Sequence, residues 1–303
     1  MWYEELGYDD NPLELNPFRA NFPLVNRTKE AADILYAIDA GNMLVIEGKD
    51  GMGKTMLLRH AVTRHRGKGK VIYIDGNAIS KRLNIEALLT RRSGFFRGRL
   101  LRHKPQGMIL LFDNVQQLTK KNCEHLKYFY DQDYLKSVIF TLQDYKGAPF
   151  TDSLRDRIGD RIIRLKPLDD QDAAQVIMQR LPKSWLTPEI IADIMEESGK
   201  SLSAALQHTA YLMEYTLDTK KEKLSRAEAR KLLKEHPVAA AVQQADRCTE
   251  CQTALVHIGE YWRCARCDTY CTNCGALVGK GDADCPECGI RFTGAAKAEE
   301  DDE

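Results

Sequence analysis

Gly48-Lys49-Asp50-Gly51-Met52-Gly53-Lys54-Thr55 brings glycines, a lysine and a hydroxyl together in the pattern G-x-x-x-x-G-K-T. That spacing suits phosphate chemistry. Backbone N–H groups of the loop converge on a triphosphate, Lys54 reaches the β- and γ-phosphates, and the Thr55 hydroxyl takes a place on Mg²⁺. Further along, the apolar run Met108-Ile109-Leu110-Leu111-Phe112 ends in Asp113. A carboxylate at the tip of such a run, after a phosphate loop, holds Mg²⁺ through water. A second chemistry lies near the C-terminus, where eight of the nine cysteines form four C-x-x-C pairs: Cys248 and Cys251, Cys264 and Cys267, Cys271 and Cys274, Cys285 and Cys288. Four pairs supply two tetrahedral sulfur sites, and two structural Zn²⁺ ions are the metals expected.

Elements must position these groups. Met43-Leu44-Val45-Ile46 is a buried-strand run directly before the loop, and Met56 to Val62 is helix-like directly after it. Further strands are read at Val71-Ile72-Tyr73-Ile74 ending in Asp75, at 108–112, at Val138-Ile139-Phe140 and at Ile162-Ile163. Strands that alternate with helices predict a parallel sheet covered on both faces. Thr28 to Ala40 is read as a helix with Thr28 as cap, and Ser225-Arg226-Ala227-Glu228 as a capping box. Prolines and aromatics crowd residues 1–25, which predicts an extended arm rather than a helix: either a packed arm or an apolar cover for adenine.

Lys and Arg balance Asp and Glu at 44 each, so net charge singles out neither nucleic acid nor membrane. No run approaches the ~18 apolar residues of a membrane span. An acidic start (Glu4, Glu5, Asp9, Asp10) is unlike a signal peptide, and the expected location is the cytoplasm. In a reducing compartment, paired cysteines imply metal rather than disulfides. Segment 81–104 carries eight lysines and arginines against Glu86, with Phe95 and Phe96 among them. That composition suits a nucleic-acid backbone with base stacking, and equally an acidic protein surface or the tail Glu299–Glu303.

At Asp113-Asn114-Val115-Gln116-Gln117-Leu118 the chain resembles the second motif of AAA+ ATPases, D-E-x-Q-x-L. Leu154-Arg155-Asp156-Arg157-Ile158 through Leu165-Lys166-Pro167-Leu168 resembles that family's passage from core to lid, and Asn16-Pro17-Phe18 its N-terminal element. The similarity spans roughly 8–217 and is nearest to secretion- and transposition-accessory ATPases, then to archaeal origin-recognition-like initiators. It implies an α/β P-loop NTPase fold with a parallel sheet and a helical AAA+ lid. It also implies ATP and Mg²⁺ as ligands, Arg27 near the adenine, and Gln143 (Thr141 as second choice) as polar sensor. Arg157 would reach a neighbouring subunit's nucleotide in a homo-oligomer, with Arg155 and Arg161 as competitors.

Two departures bear on activity. The family's general-base glutamate falls at Asn114, and an amide takes no proton from water. Lys200-Ser201-Leu202-Ser203 stands where the lid's sensing arginine is expected. ATP binding is therefore expected to outlast ATP hydrolysis. The cysteine module resembles a double zinc ribbon, a small C-terminal unit apt for docking a protein partner. Sequential pairing puts Cys248, Cys251, Cys264 and Cys267 on one ion and Cys271, Cys274, Cys285 and Cys288 on the other; a cross-brace is the alternative. The organisation read here is an N-terminal arm (1–25), core (26–166), lid (167–218), helical linker (219–246), double ribbon (247–293) and acidic tail (294–303).

Overall fold

The computed structural model describes residues 1–18, 22–65, 71–78, 106–182, 184–237, 255–258 and 261–264. Helices are α1 (Trp2–Glu5), α2 (Thr28–Asp39), α3 (Lys54–Arg64), α4 (Lys120–Asp131), α5 (Asp152–Ile158), α6 (Asp170–Arg180), α7 (Pro188–Glu197), α8 (Leu202–Asp218) and α9 (Arg226–Glu235). Strands are β1 (Met43–Glu47), β2 (Val71–Asp75), β3 (Met108–Asp113), β4 (Leu135–Leu142), β5 (Ile162–Arg164), β6 (Leu255–Ile258) and β7 (Tyr261–Cys264).

The first five strands form a parallel sheet in the order β5-β1-β4-β3-β2. Continuous Val/Ile/Leu runs form such strands because both faces are covered and alternation carries no advantage. Met43, Val45, Leu110, Phe112, Val138 and Phe140 face α4 and α5. Leu44, Ile46, Ile109, Leu111 and Ile139 face α2 and α3. β1, β3 and β4 are fully or almost fully buried, so their C-terminal tips are fixed platforms. Hairpin β6–β7 joins the sheet antiparallel at the outer edge of β2, with Tyr73 opposite His257.

Helices α6 to α8, in the segment expected to form the lid, pack around Ala173, Ile177, Ile191, Ile194, Ala205 and Leu212. Asp169, Thr187 and Ser201 cap these helices through their side chains, and Pro188 opens α7. Helix α9, begun by the Ser225–Glu228 capping box, inserts Ala229 and Leu233 into the same cluster. Buried Asp193 fastens it by accepting from Arg226 Nε and Nη2 at 2.6 and 2.8 Å.

Two local readings are corrected. Trp2–Glu5 forms a helical turn, not an extended chain, because prolines begin only at Pro12 and Trp2, Leu6 and Tyr8 dock on the lid cluster. Thr28 is the first helical residue of α2, and Arg27 holds the cap position. Among the described residues, no helix is long and apolar enough to cross a membrane.

Candidate nucleotide site

The phosphate loop joins the tip of β1 to α3, and Gly53 precedes that helix with φ +87°. Gly51 also lies at positive φ, and a Cβ there would collide with the hydroxyls of Ser201 and Ser203 at the start of α8. Glycine is required on both counts. Lys54 is 5% exposed, and its Nζ donates to the carbonyls of Gly48 (2.7 Å) and Lys49 (2.9 Å). Burial lowers its pKa, against the raising influence of Asp50 and Asp113. Neutral carbonyls are weaker partners for a buried ammonium than a phosphate oxygen. The loop therefore fits an anion beside Lys54.

Asp113, 1% exposed, is the centre of the site's polar network. Its Oδ2 accepts from Thr55 Oγ1 (2.6 Å) and from the Tyr73 hydroxyl (2.9 Å), and its Oδ1 accepts from Thr141 Oγ1. Three strands and the first turn of α3 thus converge on one carboxylate. A hydroxyl and a carboxylate in contact are hard oxygen donors of the kind Mg²⁺ takes, largely through water. Tyr73 has its pKa raised by burial first, then by the Asp113 charge.

Asn114 has φ 53° and ψ 58°, a left-handed conformation that asparagine tolerates well. Its backbone N–H donates to Thr141 Oγ1 (2.9 Å), and its Nδ2 donates to Asp75 Oδ1 (3.2 Å). Asp75 lies opposite Asp113 in the β2–β3 register. Burial, and then the Asp113 charge, pushes the Asp75 carboxyl up to about 6. The turn after Asp75 needs Gly76, because a Cβ there would meet the backbone carbonyls of Asp113 and Asn114.

Gln143, just past β4, donates to Asp50 Oδ2 at 2.6 Å and so lies on the phosphate loop. A cavity runs from Gly51–Met56 past Asn77 and Asn114 to Leu15, Pro17, Pro23 and Val25. The N-terminal arm therefore contributes both to lid packing and to the apolar end of this cavity. Arg27 also lines it, paired with Glu30 (3.1 Å) and bonded to the Lys166 carbonyl.

The remaining arginine candidates are engaged elsewhere. Arg157 donates from Nε and Nη2 to Asp131 at 2.8 and 3.2 Å and is the most exposed part of that pair. Arg155 binds the carbonyls of Tyr145 and Ala148, and Arg161 those of Met43 and Arg157. In the lid, Lys200 is tied to Asp170 at 2.6 Å, so Ser201 and Ser203 rather than a cation face the loop. Cys123 is buried, its thiol pushed up to about 11 by burial, and it takes no part in the site.

Tyr73, Asp75, Thr141, Asn77 and the lid serines were not assigned to this site by sequence, apart from Thr141 as an alternative sensor. A tyrosine inside an apolar strand was the available signal, since a buried hydroxyl requires a partner. The side chains of Cys248, Cys251, Cys264, Cys267, Cys271, Cys274, Cys285 and Cys288, and segment 81–104, lie outside the described residues. Among the described residues, no group of three or more His, Cys, Asp or Glu is placed to hold a metal ion.

Residues 40–170 match the family model of an AAA domain. No curated protein matches the chain. Among solved structures, the fold is similar to that of the Aeropyrum pernix ORC1 protein, described in complex with DNA (TM-score 0.61, 13% identity, 74% of this chain and 68% of that one). It is also similar to the Thermotoga maritima RuvB Holliday junction branch migration motor (TM-score 0.55, 17% identity, 74% and 73%). Cdc6p from Pyrobaculum aerophilum gives a TM-score of 0.56 at 15% identity over 76% and 72%. At these identities the likeness is one of fold. With its five-stranded parallel sheet and covering helices, the chain has the α/β fold of P-loop AAA+ ATPases, and residues 40–170 are similar to an AAA domain.

Proposed function

We propose that the protein is a Mg·ATP-dependent switch that binds ATP well and hydrolyses it slowly. The observation that carries this reading is the Thr55–Asp113 contact beside a buried Lys54, with an amide rather than a carboxylate at position 114. Lys54 and the loop N–H groups would hold the phosphates, and Thr55 and Asp113 would place Mg²⁺, which supplies charge neutralisation at the phosphates when bound. Gln143, bonded to Asp50 of the loop, would orient water there but is a poor base. Without a base, rate falls by ~10²–10⁴. Against a median enzyme turnover of about 10 s⁻¹, a loss of that size puts hydrolysis at roughly 0.1 s⁻¹ or slower.

In this reading the closed lid reports the bound state through the contact of Ser201 and Ser203 with Gly51. The cysteine module, held by two Zn²⁺, would present a surface to a protein partner. An antiparallel hairpin lying between the first two C-x-x-C pairs supports a ribbon there. Arg157 would serve assembly between copies, once released from Asp131. The test is binding and turnover of the purified full chain with Lys54→Ala as control. Tight Mg²⁺-dependent ATP binding, lost in Lys54→Ala, with slow turnover supports the switch; rapid turnover refutes it.

A second reading, ATP-licensed binding to DNA or RNA, draws on the fold shared with ORC1 and RuvB and on the basic segment 81–104. It predicts salt-sensitive nucleic-acid binding that disappears when Arg91, Arg92, Arg97 and Arg99 are neutralised. Binding unchanged by those substitutions counts against it.

A further inference from the structure

We propose that Arg180 reads the edge of the nucleotide's base, donating from the lid to acceptor atoms of a purine. This rests on the nucleotide-binding reading and adds to it the residue that makes binding depend on the base.

Arg180 is the last residue of α6 and lines the apolar end of the cavity whose other end is the phosphate loop. Its guanidinium lies over the Phe22 ring, 3.7 Å from the centroid, which fixes its plane. One N–H donates to the Glu14 carbonyl at 3.2 Å. The Glu14 carboxylate accepts instead from the Asn16 N–H (2.8 Å), and Arg180 makes no ion pair among the described residues. The other arginine lining this end, Arg27, is neutralised by Glu30. A guanidinium carries five N–H donors, so most of those on Arg180 have no acceptor among the described residues.

Burial is costly for such a group, and it pulls the pKa of Arg180 down to about 10 although the Glu14 charge acts the other way. An acceptor entering the cavity would offset that cost. The side chains of Leu15, Pro17, Pro23, Val25, Val176 and Leu206 suit the faces of a flat ring but carry no polar atom for its edge. A purine buried there has ring nitrogens, and in guanine a carbonyl, that need donors. Among the described residues lining that end, Arg180 is the cationic donor with no carboxylate at ion-pair distance, the Glu14 charge reaching it only from farther away. Triphosphate on the loop and base edge on Arg180 together define one bound orientation.

The experiment is calorimetric titration of the full chain, with Mg²⁺, by ATP, GTP, dATP and inorganic tripolyphosphate. Wild type is compared with Arg180→Met and Arg180→Lys, and each variant's thermal midpoint is measured alongside. The prediction is that Arg180→Met weakens ATP binding by about 10-fold or more, leaves tripolyphosphate binding within about twofold, and is partly rescued in Arg180→Lys. dATP should lose as much as ATP, which assigns the contact to the base rather than the ribose; comparing ATP with GTP losses tells which purine edge is read. Unchanged ATP affinity in Arg180→Met overturns the proposal. So does a parallel loss of tripolyphosphate binding, which would reduce Arg180 to a support for the arm. A wild type that binds tripolyphosphate but no nucleotide better also overturns it, whereas binding of none of the four removes the nucleotide reading itself.

Discussion

Asp113 shows how little of a phosphate site is contained in its motif. It is reached by Thr55 from α3, Tyr73 from β2 and Thr141 from β4, and the adjoining amide of Asn114 rests on Asp75. Burial first, and then the Asp113 charge at the adjacent strand tip, disfavours ionisation of Asp75. Its folded pKa of about 6 exceeds the unfolded value near 4, so ionising it destabilises the fold. Stability from this group is fully present below about pH 4 and is lost as pH rises through about 6. In metal-free buffer at pH 7.5, Asp75→Asn should stabilise the protein by about 1–2 kcal/mol in urea unfolding, with the gain vanishing near pH 4. A destabilised Asp75→Asn at pH 7.5 would contradict this. At the same scale, Gly51→Ala should weaken ATP binding at least tenfold in calorimetry, since its Cβ strikes the Ser201 and Ser203 hydroxyls and the backbone is at positive φ.

At the scale of elements, the lid depends on polar fasteners as well as on its apolar cluster. Asp193 is 3% exposed and is held by two bonds from Arg226, with Arg230 3.6 Å away. Arg226→Ala leaves that carboxylate short of a partner and should cost about 1–3 kcal/mol in urea unfolding, with loss of helix α9. An unchanged midpoint would show the pair to be idle. The individual elements were largely legible from the chain. Continuous apolar runs ending in Asp75 and Asp113 marked buried parallel strands, and Ser225–Glu228 marked a helix start, because each signal is local. Trp2–Glu5 was not legible, since a single turn is stabilised by docking Trp2 and Leu6 on a distant lid. The Tyr73–Asp113–Thr141 network was hidden for the same reason, as its members lie far apart in the chain and meet only through the order β4-β3-β2.

At the scale of the molecule, the outer edge of β2 is closed by the β6–β7 hairpin, which lies among the paired cysteines. An unpaired strand edge invites association, and the hairpin removes that edge. Tyr73 pairs by its backbone with His257 and places its hydroxyl on Asp113, so the hairpin adjoins the strand that supports the site. If zinc holds the module, chelation in the full chain should raise amide exchange across Val71–Asp75 by about tenfold or more; protection unchanged on metal removal would separate the hairpin from the metal. The central claim, that this site keeps ATP rather than consuming it, is tested most directly by a chase of γ-labelled ATP on the purified full chain with Mg²⁺. The account predicts near-stoichiometric bound ATP, abolished by Lys54→Ala, decaying more slowly than roughly 0.1 s⁻¹. Release of labelled phosphate at several turnovers per second, or no retained ATP in the wild type, would contradict it.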